Sequence, residues 1–155
     1  MNKNRLLMLQ YKELLNCIYT QPFILNKENI NIFHISFQGS PATLFEEGIY
    51  HCEIDFTEYP EKAPSIQFLN DSGSYLLHQP VCIQGITSYH QEKWTPGTSV
   101  ISIINALRVY MNEKDDRQAL GFIKKLDEVQ IKKYVQFSQK YKCSCGADHS
   151  KLFDQ

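Results

Sequence analysis

No run of apolar residues in this chain approaches the ~18 that a membrane-crossing helix needs, so direct membrane insertion is not expected. The N-terminal stretch MNKNRLLMLQYKELLNC interrupts its apolar run with charges and does not suit a cleaved export signal. An excess of positive charge is equally missing. The 16 Lys and Arg stand against 17 Asp and Glu, for a net charge of −1, which leaves little to neutralise a phosphate backbone. Nucleic acid is therefore not an expected partner. The five cysteines are odd in number and irregular in spacing, which excludes a disulfide framework. Free thiols point to a reducing compartment, and a soluble protein of the cytoplasm or nucleus is expected. No internal repeat is visible.

With 155 residues, 43% of them hydrophobic, the chain can bury a proper core of its own. Its first segment has helical spacing. Leu7, Tyr11, Leu14, Leu15 and Ile18 share a face, while Lys3, Arg5, Lys12 and Glu13 lie elsewhere, and Pro22 is expected to close the helix. A period of two then takes over. Phe33, Ile35 and Phe37 alternate with His34, Ser36 and Gln38, and Tyr50, Cys52, Ile54 and Phe56 alternate with His51, Glu53 and Asp55. Both patterns predict half-buried strands with a polar outer face. SIQFL gives a third strand and FILNKENI a weaker one. The short turns between them favour an antiparallel meander over a parallel sheet.

Residues 69–97 show no period, yet Tyr75, Leu76, Leu77, Val81, Ile83 and Trp94 are too apolar for disorder, so an ordered and functional loop is expected. Helices return with Thr98 or Ser99 as cap and Val100, Ile103, Ile104, Leu107 and Met111 on one face. Asp127 and Gln130 form a capping-box pattern for a last helix carrying Ile131, Tyr134, Val135 and Tyr141. The reading is an α+β domain over residues 1–141: an N-terminal helix, a four-stranded antiparallel meander, a long loop that holds the active site, and C-terminal helices. Residues 142–155 read as a mobile tail.

Three chemistries are open to Cys82, which lies in the aperiodic loop between Pro80 and Gly85. It can pack as a buried thiol, bind a metal, or react. A papain-like arrangement would place it at a helix N-terminus, but the nearest helix begins well downstream. Cys143, Cys145 and His149 are a possible metal cluster near the C-terminus. A closed zinc site needs four ligands, however, and the sequence offers no evident fourth, so no metal is expected there.

The stretch FEEGIYHCEIDFTEYPEKAPSIQFL, followed by VCI and then WTPGTSVISII, resembles the ubiquitin-conjugating enzymes. That family shows a Gly-rich strand start, a YP-x-K-x-P turn, a catalytic Cys before Leu or Ile, and W-x-P opening a helix. The order matches from the first helix to about Tyr141. Most members also carry His-Pro-Asn before the cysteine. Here HQP at His78 to Pro80 stands too near Cys82 and in the wrong order. The chain looks most like the noncanonical branch that is tail-anchored in the endoplasmic reticulum, which also lacks the tripeptide and has an aromatic–His pair before the Trp, here Tyr89 and His90. No C-terminal anchor is seen in this sequence. His78 stands where that branch tends to carry Asn.

The resemblance implies that Cys82 takes ubiquitin or a ubiquitin-like protein from the activating enzyme as a thioester and passes it to a lysine amine or a hydroxyl of a protein substrate. No cofactor is implied, since ATP is consumed by the activating enzyme. His90 and His78 are the implied helpers at Cys82, His90 the more favoured, with Asn70 and Gln79 as further candidates. Pro60, Glu61 and Lys62 of one turn and Thr95 and Pro96 of the other are the implied ligase-docking surface. Glu61 replaces an apolar residue often found there. Lys3, Arg5 and Lys12 are the implied contact for the activating enzyme. Trp94 is expected in the core beneath the cysteine loop. The rival reading is a catalytically inactive relative that serves as a scaffold binding ubiquitin or a ligase.

Overall fold

The computed structural model describes residues 2–83, 85–87, 93–115 and 117–153. Helix α1 (Lys3–Leu15) starts at Asn2, whose side-chain carbonyl accepts from the backbone N–H groups of Asn4 and Arg5. Leu7 and Leu14 are its buried anchors. Ile18, expected on the same face, lies beyond the helix end and is 89% exposed.

Four strands follow: β1 (Thr20–Ile24), β2 (Ile32–Gln38), β3 (Ile49–Asp55) and β4 (Ser65–Phe68). They pair in sequence order as an antiparallel meander, as the turn lengths predicted. Pro22 does not close α1. It sits inside β1 opposite Ile35, where an edge strand tolerates a residue with no N–H to give. Helix α2 (Val100–Tyr110), capped by Ser99, lays Val100, Ile103, Ile104 and Leu107 into the core that the odd-numbered residues Phe33, Ile35 and Phe37 also fill. Helix α3 (Glu128–Ser138) begins at Asp127, whose carboxylate accepts from the N–H groups of Val129 and Gln130, and it ends before Tyr141, which was expected on it.

The outer face of the sheet departs from the expected alternation. His34, Ser36 and His51 are buried although they point away from the core, so β2 and β3 are covered on both sides. The cover comes from the end of α3 and the segment after it. Ser138 Oγ accepts from the N–H of Ile49, and Gln139 donates its side-chain N–H to Glu47 O. Residues 142–148 then fold into a turn closed by an isolated bridge between Lys142 and Asp148, and a 3-10 turn follows at His149–Lys151. The expected mobile tail is thus a packed element, with His149 fully buried against the sheet.

Candidate active site

The loop after β4 is ordered by a run of backbone hydrogen bonds on both of its sides. Towards the sheet, His78 N–H donates to Phe68 O and Val81 N–H to Ile66 O, with an isolated antiparallel bridge between Gln67 and Pro80. On the far side, Leu76 N–H donates to Gly121 O, Ile123 N–H to Ser74 O, and Cys82 N–H to Leu120 O at 2.9 Å. The cysteine therefore lies in an extended segment held between β4 and residues 120–123. Cys82 itself is half-buried, so its side chain keeps some access to solvent. Just beyond it, buried Thr87 closes a turn by accepting from Ile83 N–H at 3.0 Å and donating its own N–H to Ile83 O.

Two residues that build this bed carried no sequence signal. Gly121, at φ +89, comes so near the cysteine segment that a β-carbon there would fall 2.4 Å from Pro80 O and 2.8 Å from Val81 Cα. Arg117, 2% exposed, spreads its guanidinium over three carbonyls: Nε donates to Ile123 O at 2.6 Å, Nη1 to Glu113 O at 2.7 Å, and Nη2 to Ser74 O at 2.5 Å. It also stands over the Phe122 ring. The only hint in the sequence was a basic residue in a polar break, a pattern that ordinarily marks solvent.

The expected helpers are placed unequally. His90, with Tyr89, lies outside the described residues. His78 is exposed and adopts φ +56. Asn and His are among the residues that accept this left-handed region most readily. Gln79 is exposed beside it. Asn70 is not available to the cysteine: its carbonyl accepts from His51 N–H at 2.8 Å and its amide donates to Ile49 O at 3.0 Å, so it serves β3.

Trp94 is half-buried at the rim of the core rather than within it. Its indole N–H donates to Pro60 O at 2.8 Å, and its ring meets the Tyr59 ring edge-on. That bond ties together the two turns read from the sequence and leaves Glu61, Lys62, Thr95 and Pro96 exposed, with Pro60 half-covered. On α1, Lys3 Nζ donates to Thr57 O, while Arg5 and Lys12 project into solvent.

This arrangement, a helix, a four-stranded meander, a cysteine in an ordered loop past the last strand and a Trp-anchored turn into the next helix, matches a known family model. The ubiquitin-conjugating enzyme model aligns with residues 8–144. The chain belongs to the ubiquitin-conjugating enzyme family. It is 31% identical over 129 residues to ubiquitin-conjugating enzyme E2 6 of Kluyveromyces lactis, covering 81% of this chain and 49% of that one. It is 33% identical over 121 residues to human ubiquitin-conjugating enzyme E2 J2, covering 76% and 46%. These names fit the noncanonical branch that the sequence resembles. The chain spans about half the length of the curated relatives it matches. Among solved structures, one titled a novel ubiquitin-conjugating enzyme superposes with a TM-score of 0.64 at 18% identity, over 86% of this chain and 92% of the other. Human ubiquitin-conjugating enzyme E2 G1 gives 0.58 at 21% identity, over 69% and 92%. Both share the fold. Among the described residues, no helix is long and apolar enough to cross a membrane.

The three C-terminal candidates, Cys143, Cys145 and His149, do not converge on one point. Cys143 and Cys145 turn towards His34 and His51 on the sheet, whereas both ring nitrogens of His149 are engaged elsewhere, Nε2 with Ser36 Oγ at 2.8 Å and Nδ1 with Ser138 O at 2.7 Å. Burial pulls the His51 imidazole down to about 3, helped by its neighbours His34 and His149, and pulls His34 and His149 below the usual range.

Proposed function

We propose that Cys82 carries ubiquitin or a ubiquitin-like protein as a thioester and hands it to lysine or hydroxyl groups of protein substrates. The observation that carries the reading is the bed of Cys82: a half-exposed thiol whose backbone is fixed from both sides, to β4 through Val81 and to residue 120 through its own N–H. A nucleophile so fixed presents one geometry to large partners and loses little entropy on reaction.

In loading, the Cys82 thiolate attacks the thioester carbonyl held by the activating enzyme. A new C–S bond forms, and the activating enzyme's thiolate leaves. In discharge, a substrate amine or hydroxyl attacks the Cys82 thioester, the Cys82 sulfur leaves as thiolate, and the nucleophile's proton passes to a base. The N–H groups of Cys82 and Ile83 already donate to Leu120 O and Thr87 Oγ1, so neither of these two is available to the developing oxyanion. His90 and His78 are our choices for that help and for the base. The turns joined by Trp94 and Pro60 are the proposed ligase surface (Pro60, Glu61, Lys62, Thr95 and Pro96), and Lys3, Arg5 and Lys12 the proposed contact for the activating enzyme. None of the five cysteines forms a disulfide, which supports a reducing cytoplasmic or nuclear setting.

The test is direct. Incubation with activating enzyme, ATP and ubiquitin yields an adduct that thiol reductant removes and that Cys82→Ala abolishes. An adduct that survives Cys82→Ala, or none with ubiquitin or any ubiquitin-like modifier, overturns the reading and leaves a scaffold.

A further inference from the structure

On the far side of the sheet's core layer, four side chains converge without any part in the chemistry of Cys82. His34 on β2 and His51 on β3 share the outer face, and the turn after α3 brings Cys143 and Cys145 down onto them. The four donor atoms lie within 4.8 Å of one another. His34 Nδ1 is 3.2 Å from His51 Nε2, Cys143 Sγ is 3.5 Å from His34 Nδ1, and Cys145 Sγ is 3.5 Å from His51 Nε2. With Zn–N near 2.05 Å and Zn–S near 2.3 Å, the edges of a tetrahedral site are about 3.3 Å for N to N and about 3.6 Å for N to S. The three measured separations are those edges to within about 0.1 Å.

The hydrogen bonds around the cluster fix which nitrogens carry protons. Ser138 O can only accept, so His149 Nδ1 is the protonated nitrogen and Nε2 accepts from the Ser36 hydroxyl. Ser36 Oγ then accepts from His51 Nδ1–H at 2.7 Å, which leaves His51 Nε2 with its lone pair directed into the cluster. His34 turns its Nε2 towards the Glu53 carboxylate, 3.6 Å away, an acceptor that favours the tautomer with a bare Nδ1. Both inward nitrogens are electron-pair donors, and two thiol sulfurs face them. Histidine ligands in metal sites are typically held in this way, through their outer N–H, by carboxylates or other acceptors. The turn also suits the task. Gly146, at φ +105, lets the chain reverse so that Gly146 N–H donates to Cys143 O and Cys143 N–H to Ala147 O, which sets both sulfurs towards the sheet.

We propose that His34 Nδ1, His51 Nε2, Cys143 Sγ and Cys145 Sγ bind one zinc ion in a closed tetrahedral site that fastens the C-terminal segment to the outer face of the sheet. Two thiolates and two imidazoles select a borderline-soft ion over magnesium or calcium, which need oxygen ligands. With four protein ligands no position is left for water, so the ion is structural and not catalytic. On binding, the two thiols lose their protons to solvent and form two Zn–S bonds.

The full chain, loaded with zinc and freed of excess by gel filtration, should retain one equivalent by elemental analysis. Cobalt in its place should give the intense visible bands of a tetrahedral thiolate site. Retained zinc should also shield Cys143 and Cys145 from alkylation, read by peptide mass spectrometry, and a chelator should remove the shield. This measurement needs no variant. The Cys143→Ser, Cys145→Ser double variant should retain no metal. Retention well below one equivalent, a six-coordinate cobalt spectrum, shielding at Cys17 or Cys82 instead, or undiminished binding by the double variant would each overturn the proposal.

Discussion

Gly121 and Pro80 approach each other so closely that no β-carbon fits between them: one built on Gly121 would lie 2.4 Å from the Pro80 carbonyl oxygen. The contact lies next to the hydrogen bond from Cys82 to Leu120, so it sets how the cysteine segment rests on its neighbour. Gly121→Ala is expected to cost about 1–3 kcal/mol from the left-handed backbone alone, with the steric clash added. It should also slow loading of Cys82. Thermal unfolding and a single-turnover loading assay check both. Gly97→Ala, where a β-carbon meets nothing within 4 Å, should leave the melting temperature unchanged.

Arg117 joins the same bed from beneath. Replacing it with Met keeps much of the volume but strips Ser74 O, Ile123 O and Glu113 O of a charged donor in a buried place. A loss of about 2–3 kcal/mol is expected, since bonds to a charged group are among the stronger ones. Denaturant titration should show a lower midpoint with an unchanged slope. A shift under half a kcal/mol, on the order expected of an ordinary surface site, would mean that the three bonds do not matter.

Tyr50 and Gly48 form a second pair that can be tested. The Tyr50 hydroxyl is buried with no hydrogen-bond partner among the described residues, and a β-carbon on Gly48 would fall 2.0 Å from it. Tyr50→Phe should therefore stabilise the protein by about 1 kcal/mol, because an unsatisfied polar group leaves the core. Gly48→Ala should destabilise it by about 1–3 kcal/mol by overpacking. In the double variant the penalty should shrink, a coupling of at least ~0.5 kcal/mol in a double-mutant cycle. Strict additivity would show that the ring can move aside freely.

Much of the fold was legible in the sequence. Period-two alternation in β2 and β3, the Ser99 and Asp127 caps and the short turns were enough for the meander and its flanking helices, because each is a local signal. The order of YPEKAP, Cys82 and WTPG was enough for the family. What stayed hidden was non-local. The role of Arg117 depends on three carbonyls brought together by the fold, and the burial of His34 and His51 depends on a segment 90 or more residues away covering their face. Alternation assigned those histidines to solvent because it knows one layer of packing. The same limit kept His149 among the metal candidates and left out the two histidines that complete the set.

The two histidines proposed as helpers separate by assay. If His90 accepts the proton of the incoming nucleophile, His90→Ala should slow discharge to free lysine by about 10²-fold while loading from the activating enzyme changes little. Equal slowing of both steps would remove it from that role. At His78 the left-handed backbone makes a second control available. If the position matters for conformation, His78→Asn and His78→Gly should keep the parent's discharge rate while His78→Val loses stability. If the imidazole itself acts, all three should discharge slowly.

Ser36 tests the outer face of the sheet without replacing a proposed ligand. Its hydroxyl stands between His51 Nδ1 at 2.7 Å and His149 Nε2 at 2.8 Å, so it both accepts from the ligating ring and docks the C-terminal segment. Ser36→Ala leaves the His51 N–H without an acceptor and frees that ring to rotate or change tautomer. Zinc affinity, measured by competition with a chromophoric chelator, should fall by about 10–100-fold, the range typical for loss of a group that orients a ligand. The stoichiometry and the tetrahedral cobalt spectrum should persist, because all four donors remain. His149→Phe should weaken binding in the same way through the other end of the same chain of bonds. Parent-like affinity in both variants would show that the serine and the histidine merely fill space.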